Sequence, residues 1–236
     1  MEKFGVFETV RIEDGETTFL PYHYERIKKS AFVLDIPFTI SYEMFERKLK
    51  GIDSKGLKLV KFALFEDGSY AVSERVCIVP ESVSLLADNC IKRKRDFLSE
   101  FKTLSIYDSL FALSKAKKKG FDEVLLTDVN GFISESAFAN IFFVKRGVFF
   151  TPSLETGCLP GTRRKIVIEI LKRMGVPIVE GFFKMDFSET ADEVFLTSAK
   201  YDVISVRRIG NKSLKSEGTS WVDRLKVVMA GFKIKK

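Results

Sequence analysis

Apolar positions along the 236-residue chain change their period repeatedly, and each change marks an element. Residues 4–12 and 17–20 are apolar or β-branched, and Asp14-Gly15 between them is a hairpin signal. A helical pattern opens at Pro21, with Tyr24, Ile27, Ala31 and Leu34 recurring at three and four, and Pro37 stops it. Ser41 can cap a second helix running to Leu49, with Gly51 behind it. Residues 57–65 and 70–79 alternate around Asp67-Gly68, a second hairpin. Residues 80–89 lack a clear period and read as a linker.

Beyond that stretch the style of the chain changes. Residues 108–119 read as a helix ended by Gly120. Strands follow at 123–127, 132–134, 141–144 and 148–150, joined by Val129-Asn130-Gly131 and Arg146-Gly147. Residues 161–174 form a strong helical pattern ended by Gly175. Further strands are expected at 176–180, 193–197 and 203–207, and a last amphipathic helix at 220–230. The expectation is an α+β protein, with a small N-terminal domain over 1–80, a linker over 81–89 and a larger C-terminal domain over 90–236.

At 26.9 kDa the chain can bury roughly 70–75% of its unfolded surface, so it needs no disulfide or metal to fold. Its 45% hydrophobic and 30% charged residues exclude a disordered chain. No apolar run approaches the length of a membrane span, and the opening MEKFGVFETVRIEDG carries charges where a signal peptide needs an apolar stretch. A cytoplasmic protein with no membrane partner is expected. Cys77, Cys90 and Cys158 are widely spaced, and His23 is the single histidine, so no zinc set forms and no metal is expected. Any nucleophile relayed by histidine would have to run through His23 alone.

Lysine and arginine exceed aspartate and glutamate by 39 − 32 = +7. The basic runs at 92–95 (KRKR), 115–119 (KAKKK) and 233–236 (KIKK) are far apart and lack interleaved aromatics. They read as solvated faces rather than a nucleic-acid surface. The same mild positive excess suits an enzyme whose ligands are carboxylates and phosphates.

Four segments carry more than composition does. They are Phe7-Glu8-Thr9-Val10-Arg11 followed by His23-Tyr24-Glu25-Arg26; Phe101-Lys102-Thr103-Leu104-Ser105; the run from Asn130-Gly131 through Glu135 to Asn140-Ile141-Phe142; and Thr151-Pro152 with Gly157-Cys158-Leu159-Pro160-Gly161-Thr162-Arg163-Arg164. Singly each is weak, since a lysine such as Lys102 is usually a surface charge and Pro160-Gly161 can be punctuation before a helix. A helix N-terminus also offers free backbone N–H groups to a phosphate, and Thr162 and Arg163 stand at one.

In this order and spacing the segments resemble the fold-type IV pyridoxal-phosphate enzymes, which include branched-chain and D-amino-acid aminotransferases and 4-amino-4-deoxychorismate lyase. The resemblance runs from Gly5 to about Val206. It implies a two-domain fold with pyridoxal 5'-phosphate between the domains, and a homodimer. It also implies that Lys102 is the Schiff-base lysine, that Glu135 faces the ring nitrogen, and that Arg26 pairs with the cofactor phosphate. Gly161 and Thr162 match the loop that cradles that phosphate, with Thr197 and Ser198 in a second loop. Arg11 stands where an arginine can meet a substrate carboxylate.

The chain departs from the aminotransferase pattern at three places. Many aminotransferases have Gly-Thr where Ser198-Ala199 stands here, and lyase-like members tend towards a Thr-Asn-Ala type of turn. The aminotransferase tyrosine that holds the cofactor's phenolic oxygen would fall at Ile106 by the spacing to Gly120, and Tyr107 is its neighbour, a candidate substrate contact. Only six residues precede Phe7, where relatives carry an extra strand pair. These departures imply the lyase, which gives 4-aminobenzoate and pyruvate for folate synthesis, ahead of an aminotransferase of branched-chain or D-amino acids.

Overall fold

A computed structural model describes residues 4–50, 55–214 and 220–234. Asp14 and Gly15 both take positive φ, 49° and 86°, the pair that a two-residue hairpin turn demands. They join β1 (Gly5–Glu13) to β2 (Glu16–Thr17). The second strand stops short of the expected 20 because Leu20 already opens α1 (Leu20–Val33), with Pro21 in the first turn, where its missing N–H costs nothing. Ser41 Oγ accepts the Met44 N–H at 3.2 Å and starts α2 (Tyr42–Lys50); Gly51 lies outside the described residues. With β3 (Leu57–Phe65) and β4 (Tyr70–Val76) the strands form an antiparallel sheet in the order β2-β1-β3-β4.

Alternation along β1 separates two chemistries. Val6, Val10 and Ile12 face inward and are buried with Ile27, Ala31, Phe45 and Phe62 in one apolar cluster. Each large side chain so buried is worth roughly 1.5–3 kcal/mol. Phe7, Thr9 and Arg11 take the other face.

Residues 81–89 are not a free linker: β5 (Ser82–Arg93) runs through them. Val83, Ser84, Leu85 and Leu86 are all buried, and a strand covered on both faces shows no alternation to read. After it come α3 (Tyr107–Lys118), β6 (Glu123–Asp128), β7 (Ile133–Ser136), β8 (Asn140–Lys145) and β9 (Val148–Pro152). Then follow α4 (Thr162–Arg173), β10 (Ile178–Gly181), α5 (Met185–Glu189), β11 (Glu193–Ser198), β12 (Asp202–Ile209), β13 (Lys212–Ser213) and α6 (Trp221–Ile234). The nine strands order as β10-β9-β8-β11-β12-β5-β6-β7, with β13 on β12. This sheet curls on itself. At its closing edge Ile133 N–H donates to Phe183 O at 2.7 Å and Ser134 Oγ to Thr156 O at 3.0 Å.

The chain divides into two compact units. Residues up to Val79 together with Phe101–Ser105 make one; Pro80–Glu100 and Ile106–Ile234 make the other. The five-residue return is held on β1 by backbone: Phe7 N–H donates to Lys102 O at 2.8 Å, and Leu104 N–H to Gly5 O at 2.9 Å. Gly5 makes room for it. A Cβ there would stand 2.2 Å from Leu64 O and 3.1 Å from Leu104 Cδ1. Gly5→Ala should therefore lower unfolding free energy by about 1–3 kcal/mol, the usual cost of overpacking, as read from urea denaturation.

Candidate active site

In the first unit, Lys102 follows from the strand pairing just described. Its Nζ lies 4.3 Å from the centroid of the Phe7 ring, and Lys61 Nζ lies 4.4 Å from the same centroid. Two ammonium groups therefore share one aromatic ring, an attractive site for each cation alone. Burial pushes the Lys61 amine below its usual range. Arg11 takes the same face of β1 as Phe7 and pairs with Glu13 at 3.2 Å.

Arg26 is held from the inward face of β1. Its Nε and Nη2 each donate to Glu8 at 2.7 Å, a fork on a carboxylate, and His23 Nδ1 lies 2.7 Å from the same Glu8. Glu8 is fully buried. Burial alone would raise its pKa, but the Arg26 charge and the hydrogen bonds from His23 and Arg26 outweigh that and hold it down at about 2. The lone histidine is thus a partner of a buried carboxylate.

In the second unit, Glu135 sits on β7 with Oε1 3.0 Å from Arg93 Nε, while Leu159 N–H donates to its Oε2 at 3.1 Å. Arg93 also donates to Ser109 Oγ at 2.8 Å. Arg93 lies within the basic run at 92–95 that is expected to be solvated, yet it turns to a carboxylate. On a strand, neighbouring residues point to opposite faces, so half of such a run can turn inward.

The turn before α4 is shaped by Asn140, whose Nδ2 donates to Leu159 O at 2.8 Å. A Cβ on Gly161 would meet Asn140 Oδ1 at 2.0 Å, so a side chain there would have to push Asn140 off its bond to Leu159 O. Gly161 is the N-cap of α4 and supplies no side-chain cap, and the first turn holds no acidic residue. No side chain caps the first-turn N–H groups of α4, an arrangement that can receive an anion. Thr197, opposite Asn140 in the β8–β11 register, is 1% exposed, and its Oγ1 has no hydrogen-bond partner. Ser198 Oγ accepts the Tyr201 N–H at 3.4 Å. Tyr107, the first residue of α3, is 75% exposed, and Ile106 stands before it as N-cap.

In the second unit a carboxylate braced by an arginine, an uncapped helix end and an orphaned buried hydroxyl suit the ring and phosphate of a phosphorylated pyridine, and in the first unit Lys102 is an amine that an aldehyde can take. Comparison with known proteins agrees: the family model for class IV amino-transferases matches residues 5–209, and the chain belongs to that family. It is a pyridoxal-phosphate-dependent enzyme of fold-type IV. A Thermotoga maritima protein named probable branched-chain-amino-acid aminotransferase is 32% identical over 221 residues, covering 90% of this chain and 80% of its own. The aminodeoxychorismate lyase of Bacillus subtilis is 27% identical over 240 residues, with 92% of this chain and 82% of its own covered. The crystal structure of the Escherichia coli branched-chain amino acid aminotransferase matches the fold with a TM-score of 0.85 at 22% identity, over 97% of this chain and 85% of that one.

The Glu8 cluster gives a pH prediction. A carboxyl whose pKa falls from 4.5 to about 2 on folding adds stability above pH 4.5 that is lost as pH falls towards 2, about 3 kcal/mol in all. Denaturation curves between pH 7 and 2.5 should show that loss. Glu8→Gln should remove this acid step and cost roughly 3–5 kcal/mol at pH 7, since it leaves Arg26 without its countercharge.

Proposed function

We propose that the chain is an aminodeoxychorismate lyase, splitting 4-amino-4-deoxychorismate into 4-aminobenzoate and pyruvate for folate synthesis. The observation that carries this reading is the pair Ile106 and Tyr107. By the spacing to Gly120 the aminotransferase tyrosine for the cofactor's phenolic oxygen would fall at the apolar Ile106, and Tyr107, its neighbour, is 75% exposed. The sequence Thr197-Ser198-Ala199, where β11 ends and its turn begins, and the likeness to the Bacillus lyase support it. The second reading, an aminotransferase of branched-chain or D-amino acids, is supported by the 32% identity to the Thermotoga protein.

Lys102 would hold the cofactor through its aldehyde carbon. As a free amine it would remove the proton from the substrate carbon bearing the amino group and return a proton to the departing pyruvate carbon. Pyridoxal phosphate, when bound, supplies the electron sink for the bond that breaks. Glu135, braced by Arg93 and the Leu159 N–H, keeps negative charge at the ring nitrogen. Arg26, aimed by Glu8, would offer its guanidinium to the phosphate. In the second unit Gly161, Thr162, Thr197 and Ser198 would offer it N–H groups and hydroxyls. Arg11, on the same face of β1 as Phe7, meets a substrate carboxylate.

The enzyme works in the cytoplasm as a homodimer in this proposal. Tyr107, Leu110 and Phe111 recur at three and four along α3 and are all exposed, as are Phe97 and Leu98, a stripe suited to a second copy. Leu110→Asp should then shift sedimentation from dimer to monomer.

Lys102→Ala should lose the covalent, borohydride-fixable cofactor and slow turnover by orders of magnitude, while stability changes by about 1 kcal/mol or less. The lyase reading requires pyruvate from aminodeoxychorismate with no oxo-acid acceptor present. Amino exchange between leucine, D-alanine or glutamate and 2-oxoglutarate, with no pyruvate from aminodeoxychorismate, would replace it with the second reading.

A further inference from the structure

We infer that the buried pair Arg163–Asp202 is a positioning device, one that sets the spacing of the two loops proposed above to grip the cofactor phosphate. The inference rests on that reading of the loops. Arg163 is the second residue of α4 and only 1% exposed. A cation in the first turn of a helix meets the positive end of the helix dipole, and a guanidinium removed from water is costly unless paired. Its Nε donates to Asp202 Oδ1 at 2.7 Å.

Asp202 opens β12 after the turn at 199–201 and has φ of 54°, in the left-handed region that aspartate enters more readily than most residues. The cost at this contact therefore lies with Arg163, and it is offset by the directed bond to the Asp202 carboxylate.

That bond ties the first turn of α4 to the hairpin between β11 and β12. On one side of it are Gly161, Thr162 and the uncapped N–H groups; on the other are Ser198 and Thr197, whose hydroxyl is orphaned. Arg164, next along, serves a different link, donating from Nη2 to Pro152 O at 2.9 Å and to Glu180 at 2.6 Å. Because Asp202 neutralises Arg163, the pair adds little net attraction for an anion. Its effect is geometric, holding hydroxyls and N–H groups at the separation one phosphate needs.

The test compares two ligands that differ only in the phosphate. Purified holoenzyme is resolved of its cofactor and titrated with pyridoxal 5'-phosphate and with pyridoxal, following absorbance, for Asp202→Asn, Arg163→Lys and Thr197→Val. Thermal melts confirm that each variant is folded. Asp202→Asn, the nearly isosteric change, should weaken pyridoxal phosphate roughly tenfold, the size expected when a group that orients a ligand-binding element is lost. Pyridoxal affinity should stay within about twofold, and the phosphorus resonance of bound pyridoxal phosphate should shift. Arg163→Lys should behave alike, because an ammonium cannot reproduce the directed Nε bond. If both ligands weaken equally, or neither does, while Thr197→Val still discriminates them, the pair has no positioning role. If Thr197→Val also fails to discriminate, the phosphate reading of the loops falls and this inference falls with it.

Discussion

A charge taken out of water survives only when an opposite charge meets it at hydrogen-bond distance, and three such meetings organise this protein. Glu8 takes a two-pronged bond from Arg26, Glu135 lies against Arg93, and Asp202 accepts from Arg163. In each pair one member stands at, or next to, a group to which the family likeness gives work. Arg26 faces a phosphate in that account, Glu135 a ring nitrogen, and Arg163 adjoins the glycine corner. The supporting partner in each case comes from a different strand or helix, so orientation is fixed by tertiary structure and not by a local rotamer preference.

Much of the fold was legible because its signals are local. Asp14-Gly15 marks its hairpin through backbone conformations few other residues adopt, and Ser41 marks a helix start with its hydroxyl. What the chain did not reveal is non-local. The burial of β5 on both faces erased the alternation that would have marked it, so residues 81–89 read as a linker. Which acidic partner an arginine finds is likewise invisible in a single sequence. Arg93 lay inside a basic run that reads as solvated, and its carboxylate stands 42 positions further along the chain. The residues matched by family likeness could be named in advance; those that brace them could not.

The brief return of Phe101–Ser105 to the first unit has a consequence for how such a protein can be built and altered. The backbone passes between the units at Val79–Pro80, again before Phe101 and again after Ser105. Lys102 is therefore encoded within the stretch that otherwise makes the second unit, yet is seated by hydrogen bonds to β1. Cutting the gene near residue 80 would leave the N-terminal fragment without its lysine and the C-terminal fragment with a lysine that has no strand to lie on. Neither half is a transferable module. Recombination among relatives is constrained to exchange β1 and the 101–105 segment together, even though some ninety residues separate them in the chain.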